Sequence, residues 1–286
     1  MLTKKECLEL NIFSAEIRKE TIHAIAAAGS GHIGGAMSMA EALSVLYKKV
    51  MRIDPKNPKL PDRDRFVLSK GHCGPSLYAT LSLCGYFPRE ELLTLNQGNT
   101  ILPSHADRNK TPGIDFSTGS LGQGISMAVG SALGAAYLKK DYDTYCMLGD
   151  GECDEGQVWE SVLFAAQHKL SHLITFVDFN QQQLDGSIED VCALGNLAEK
   201  FRQFGWYAQS ADGHNVAEIY DAIEAARTQR ELPSVIVLRT RKGQGCEYAL
   251  KQGLCHHLPV SREVEKQEIA RLDREIAAMR KEMEVC

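Results

Sequence analysis

The second half of this sequence repeats one pattern: a short apolar run, a turn rich in glycine, acid or amide residues, then an amphipathic helix. Tyr145-Cys146-Met147-Leu148 runs into Gly149-Asp150-Gly151, and Leu173 to Phe179 runs into Asn180. An amphipathic helix is predicted between them, from Val158 to Leu170. The turn Asp212-Gly213-His214-Asn215 opens a further helix, Val216 to Thr228, and Ser234 to Leu238 makes the next strand. Strands alternating with helices of this length imply βαβ crossovers and therefore parallel pairing. Parallel strands need cover on both sides. The expected fold class is α/β, an open and mostly parallel sheet with helices on both faces.

Upstream, Leu8, Ile12, Ala15, Ile22 and Ile25 keep close to helical spacing and predict a helix over Glu6 to Ala28. The loop Gly29-Ser30-Gly31-His32-Ile33-Gly34-Gly35 ends it. Ser38 and Glu41 predict a capping box for a helix over Met39 to Met51. Arg65 to Ser69 is a short strand running into a second glycine-flanked histidine, Gly71-His72-Cys73-Gly74. An irregular stretch from about Gln97 to Ser117 leads to Thr118-Gly119-Ser120-Leu121-Gly122-Gln123-Gly124 and a small-residue helix over Ile125 to Leu138. The chain closes with a charged helix, about Arg262 to Glu284, carrying the narrow stripe Ile269, Leu272, Ile276 and Met279. That stripe can cover the chain's own sheet or dock on a partner. No repeat or low-complexity linker interrupts the chain. The expected division is one domain, residues 1–260, and a C-terminal helical appendage, residues 261–286.

Composition narrows the function classes. With 286 residues, 44% hydrophobic and 24% charged, the chain has ample material for a core. A net charge of −5 offers no electrostatic case for nucleic acid or an anionic membrane. No apolar run approaches the roughly 18 residues of a membrane span, and Met1 to Cys7 shows no secretory pattern. Nine scattered cysteines without a C-x-x-C pair suit reduced thiols, so a cytoplasmic protein is expected.

The chemistry concentrates at predicted strand ends. Asp150 and Asn180 both terminate strands joined by one crossover, so they are expected on the same carboxyl edge of the sheet. A carboxylate and an amide oxygen there are hard ligands suited to Mg²⁺ or Ca²⁺, and the flanking glycines let a phosphate approach the backbone. Gly122-Gln123-Gly124 opens a helix, where unpaired N–H groups and the dipole offer an anion site. Equally, Gly130, Ala132, Gly134, Ala135 and Ala136 allow close packing of that helix. His32, His72 and His105, with His256 or His257, sit in tight loops and suit proton transfer or hydrogen bonding to phosphate or sugar oxygens.

Taken in order, Ser30-Gly31-His32, Asp62 to His72, Thr118 to Gly124, Gly149-Asp150-Gly151 with Glu155-Gly156, and Asn180 with Asp185-Gly186 resemble the N-terminal, diphosphate-binding half of a transketolase. These pieces extend from about residue 20 to 257. The resemblance implies thiamine diphosphate as cofactor and transfer of a two-carbon ketol unit from a ketose or ketose-phosphate donor to an aldose. It implies Asp150, Asn180 and the Gln182 carbonyl as ligands of Mg²⁺ or Ca²⁺. Gly149, Gly151, His72 and His256 would contact the diphosphate, and Gly119, Ser120 and Leu121 would lie against the thiamine. His32 and His105 would face the sugar, and Glu155 would communicate between cofactor sites across a subunit contact.

Several positions depart from the family pattern. Ile33 and Ser120 stand where proline is usual, Ala106 to Lys110 differ after His105, and Cys255-His256-His257 fits the family's His-Gly position loosely. After Pro259 only a charged helical stretch is expected, too short to be a second α/β domain. The resemblance therefore implies a split enzyme, active only with a C-terminal subunit carrying the pyrimidine-binding domain, in a heterotetramer of two copies of each chain. The alternatives are the diphosphate-binding subunit of a 2-oxo acid dehydrogenase or a 1-deoxyxylulose-phosphate-synthase-like enzyme. A 2-oxo acid dehydrogenase subunit would share Gly149-Asp150-Gly151 and Asn180 but not the histidine loops.

Overall fold

A computed structural model describes residues 1–285. Five parallel strands form the central sheet: β2 (Arg65–Leu68), β3 (Thr144–Gly149), β4 (Leu173–Phe179), β5 (Tyr207–Asp212) and β6 (Ser234–Arg239), in the order β2-β3-β4-β6-β5. Two residues, β1 (Ser30–Gly31), pair antiparallel with β7 (Leu258–Pro259), which brings the two ends of the domain together. The helices are α1 (Lys4–Ala28), α2 (Ile33–Ser38), α3 (Ala40–Val45), α4 (Gly74–Leu83), α5 (Gln123–Tyr137), α6 (Gly156–Gln167), α7 (Ile188–Val191), α8 (Leu197–Gln203), α9 (Val216–Gln229), α10 (Glu247–Leu250) and α11 (Arg262–Met283). Among the described residues no helix is long and apolar enough to cross a membrane.

The strands alternate between two buried clusters with the period of two that a pleated strand imposes. Phe66, Leu68, Tyr145, Met147, Ile174, Phe176, Ile236 and Leu238 join the larger core, which includes residues of α1, α2, α3, α4, α9 and α11. Val67, Cys146, Leu148, Leu173, Val177, Val235 and Val237 face the other way, among residues of α5, α6 and α8. Helices on both faces are thus a consequence of strands that are apolar on both sides.

Local chemistry sets the element ends. Thr3 and Glu6 form a reciprocal capping box at the start of α1, and Gly29, at φ 84, closes it in the left-handed conformation. The capping box expected at Ser38 does not form. Helix has already begun at Ile33, so Ser38 lies inside it, and its hydroxyl donates to the Gly35 carbonyl and to Asp178. Glu41 instead pairs with buried Arg18 at 2.7 Å. The apolar stripe of α11 packs along α1 of the same chain: Leu272 and Ile276 enter the larger core, and Lys19–Asp273 and Glu16–Arg280 pairs flank the contact.

Candidate functional site

A cleft of about 290 Å³ opens at the carboxyl edge of the sheet. It is walled by loops that follow β1, β2, β3, β4 and β6, the region where open α/β sheets collect ligands. The register explains why the two key residues meet: Gly149 on β3 lies opposite Asp178 on β4, so Asp150 and Asn180 leave adjacent strands side by side. Asp150 accepts backbone N–H groups from Gly151 at 2.8 Å and Gln181 at 2.6 Å. Its carboxyl is only 2% exposed. Burial, reinforced by the charge of Asp178, pushes its pKa up to about 6.

Asn180 is held by its neighbour. Its amide nitrogen donates to Asp178 at 2.8 Å, which leaves the amide oxygen to accept the Gln182 N–H at 3.2 Å. Asp178 is fully buried and also accepts from Ser38 at 2.6 Å, from Thr240, and from the Lys70 ammonium at 2.5 Å. Burial alone would discharge Lys70, but the Asp178 carboxylate outweighs it and raises the lysine pKa. The Gln182 carbonyl accepts from Lys242 at 2.7 Å, and the Gln182 side-chain oxygen is buried without a partner. Among the described residues no cluster of three or more His, Cys, Asp or Glu is placed to hold a metal. A cation at this edge would therefore rest on one carboxylate together with amide and carbonyl oxygens.

Four imidazoles converge on the same cleft, and a fifth, His257, packs beside them. The His32 ring lies 5.3 Å from His72, 5.8 Å from His105, 5.2 Å from His256 and 4.7 Å from His257, centroid to centroid. His256 is on the cleft wall, 4.8 Å from the His72 ring and hydrogen-bonded to Lys242 at 3.2 Å. His257 is exposed and packs edge-on against His32 outside that wall. Burial lowers every affected ring: His32 to about 4, His72 to about 2 with help from the Lys70 charge, and His256 to about 3 with help from Lys242. His105 is lowered by burial as well. At neutral pH His32, His72, His105 and His256 are uncharged, each with one nitrogen able to donate and one able to accept.

The cleft gathers His32, His72, His105, Gly119, Leu121, Gly149, Asp150, Gly151, Asn180, Gln182 and His256 from the sequence-based set. Ser120 is exposed and off the wall, and Glu155 is an exposed residue at the start of α6. The anion site expected at the start of α5 is corrected by the structure. The Gly122 N–H donates to Glu152 at 2.9 Å and the Gln123 N–H to Ser120, so a carboxylate of the chain itself faces that helix end. Gly130 and Gly134 face open space, and only Gly124, Ile125, Ala128, Val129, Ala132 and Ala135 of α5 are buried.

Lys70, Asp178, Glu152 and Lys242 were not singled out from the sequence. Lys70 lies within the Asp62 to His72 stretch, and a charge beside a glycine-flanked histidine was a usable signal. Asp178, two residues before Asn180 in an otherwise apolar strand, was another. Lys242 and Glu152 carried no comparable mark.

Residues 11–279 match the family described as transketolase, thiamine diphosphate binding domain. The chain is 48% identical over 259 residues to the 6-deoxy-6-sulfo-D-fructose transketolase subunit SqwG of Clostridium sp. (strain MSTE9), covering 91% of this chain and 94% of that protein. It is 36% identical over 262 residues to an apulose-4-phosphate transketolase subunit of Phocaeicola vulgatus, covering 91% and 92%. A crystal structure of transketolase from Pichia stipitis superposes with a TM-score of 0.85 at 32% identity, covering 97% of this chain and 45% of that one. The chain thus spans less than half of that single-chain enzyme and nearly all of the two subunits. A family match over residues 11–279, on a cleft built as described, means that this chain belongs to the transketolase family and comprises its thiamine-diphosphate-binding domain.

Proposed function

We propose that this chain is the diphosphate- and metal-binding subunit of a two-chain transketolase. The observation that carries the reading is the convergence on one sheet edge of a buried carboxylate, an oriented amide and a ring of neutral histidines. The residues fit the groups they would hold. Asp150 is a buried acid whose partners are backbone N–H groups, and its oxygen neighbours are hard donors of the kind Mg²⁺ or Ca²⁺ takes. The glycine at 151 leaves the backbone open on this edge, and a Cβ there would displace the Gln183 side chain, 2.8 Å away.

In this reading Asp150, the Asn180 amide oxygen and the Gln182 carbonyl hold the cation, with the Lys242 ammonium giving up that carbonyl. Gly149, Gly151, Asn180, His72 and His256 bind the diphosphate, while Gly119, Ser120 and Leu121 line the thiamine. Bound thiamine diphosphate supplies the electron sink for breaking and remaking a carbon–carbon bond. His32 and His105, uncharged at neutral pH, accept and return protons at the sugar oxygens, help worth about 10²–10⁴-fold in such roles. Glu155 faces the neighbouring subunit from the start of α6.

The cleft of about 290 Å³ falls just below the roughly 300–1,000 Å³ typical of ligand sites. A half-site of this kind suits a cofactor shared with a second polypeptide that brings the pyrimidine domain, in a heterotetramer. Both subunit relatives are named for ketoses bearing a sulfonate or a phosphate, so the donor is a ketose with an anionic end. The eight described cysteines are free thiols, in keeping with a cytoplasmic setting. The test is co-expression with the product of the adjacent reading frame, followed by a panel of sulfonated and phosphorylated ketose donors with aldose acceptors. Two-carbon transfer from at least one donor is expected. A purified complex that takes up thiamine diphosphate yet transfers no ketol unit from any donor counts against the reading.

A further inference from the structure

Glu152 lies one residue beyond Gly151, in a single 3₁₀ turn, and is 2% exposed. Its carboxylate accepts three hydrogen bonds, each from a different segment of the cleft wall. One oxygen takes the Ser69 hydroxyl at 2.5 Å and the Gly122 N–H at 2.9 Å; the other takes the Gly149 N–H at 3.1 Å. Ser69 precedes Lys70 and His72, Gly122 follows Gly119 and Leu121, and Gly149 precedes Asp150. The positive end of α5, which Gly122 caps, favours the charge of this carboxylate. Gly122 is fixed there by a left-handed φ of 81 that other residues adopt poorly.

From this geometry we infer that Glu152 is a positioning residue for the cofactor site, an internal anion that clasps the three loops on which cofactor contacts sit. It rests on the reading of this edge as a thiamine-diphosphate site, and assigns a role to a cleft-wall residue outside the set proposed to contact the cofactor. A buried carboxylate with three donors is hard to replace, because each donor it abandons loses its partner. Glu152→Gln keeps the volume but turns an NH₂ group toward at least one donor, so one of the three contacts becomes a clash. Ser69→Ala deletes a single bond and little volume.

The test titrates thiamine diphosphate with Mg²⁺ into the two-chain complex by calorimetry, and follows amide hydrogen exchange of the unliganded chain over residues 119–124 and 147–151. Glu152→Gln is expected to lose roughly 10–100-fold in cofactor affinity, the usual effect of removing a group behind a ligand. At saturating cofactor its turnover is expected near wild type, and exchange in both segments rises. Ser69→Ala is expected to lose on the order of three- to tenfold. The double variant should lose less than the product of the two single losses, since Glu152 and Ser69 share one bond. Wild-type affinity and exchange in a folded Glu152→Gln overturn the inference. If that variant does not fold, the same result in Ser69→Ala overturns it. A wild-type complex that takes up no thiamine diphosphate defeats the proposed function itself, and this inference with it, before any variant is made.

Discussion

Asp150 faces a conflict that only a ligand resolves. Burial and the nearby Asp178 charge both oppose its ionisation, yet its two bound N–H groups orient it for use as an anion. A divalent cation would favour the charged form outright. Asp150→Ala should therefore abolish Mg²⁺-dependent binding of thiamine diphosphate in the complex, by more than the roughly 10–100-fold seen for groups behind a ligand; titration calorimetry showing unchanged affinity would contradict the assignment. The histidines carry a separate signature. His256 has its pKa lowered to about 3, so between that value and its unfolded value near 6.5 the folded chain binds fewer protons than the unfolded one. Its share of stability is complete above pH 6.5 and is lost as pH falls through that window. Asp150, raised to about 6, acts in the opposite sense, so the informative quantity is a difference between two proteins. His256→Asn should gain on wild type by about 1 kcal/mol or less per pH unit from pH 6.5 downward, after discount for solvent. Denaturant titrations of the metal-free chain at pH 7 and 5 measure it, and parallel pH profiles would refute it. Residues such as Asp150, Asn180, His32 and His72 were readable because each ends a strand or stands between glycines. Glu152 and Lys242 were not, because their importance comes from which loops fold against them, and spacing along the chain does not encode that.

Among the elements, α5 (Gln123–Tyr137) tests how closely a helix must sit on its sheet. A Cβ on Gly124 would lie 2.6 Å from the Ser69 Cα, which is backbone and cannot swing away. A Cβ on Gly130 would meet nothing within 4 Å. The same substitution at two sites in one helix should then have opposite signs. Gly124→Ala is expected to cost about 1–3 kcal/mol through overpacking, while Gly130→Ala is expected to gain up to about 1 kcal/mol from helix propensity. Chemical denaturation of both variants checks this, and a matching sign would show that the helix end can shift without penalty. The strands β2, β3, β4 and β6 were legible because apolar runs of their length, bounded by turns, have few other uses. Strand β5, Tyr207–Asp212, escaped notice: it is the sheet edge, only Ala211 of its six residues is buried, and Gln209, Ser210 and Asp212 break the apolar run. The Ser38–Glu41 spacing misled for a different reason. A capping box is a local signal, and here a buried carboxylate 140 positions away claimed the hydroxyl first.

At the scale of the whole molecule, the proposed function implies that a sheet edge so fully furnished has no activity of its own. Asp150, Asn180, the histidines and the lysines all come from one side, and Leu184, 60% exposed, lies on the cleft wall. Transketolase-family relatives fall into two lengths, single chains of which this protein covers less than half and subunits that it covers almost entirely. Under the proposed reading the missing half is a separate polypeptide, and water fills its place in the isolated chain. Catalysis by preorganised groups depends on excluding that water and on fixing both ends of the cofactor. The isolated chain, saturated with thiamine diphosphate and Mg²⁺, should therefore transfer no ketol unit above background, and addition of the partner subunit should restore turnover by several orders of magnitude. A coupled assay for aldose release, run with each chain alone and with both at equal concentration, separates the cases. Sustained turnover by this chain alone would mean that the histidine-lined edge is a complete active site, and the argument for a shared cofactor would have to be abandoned.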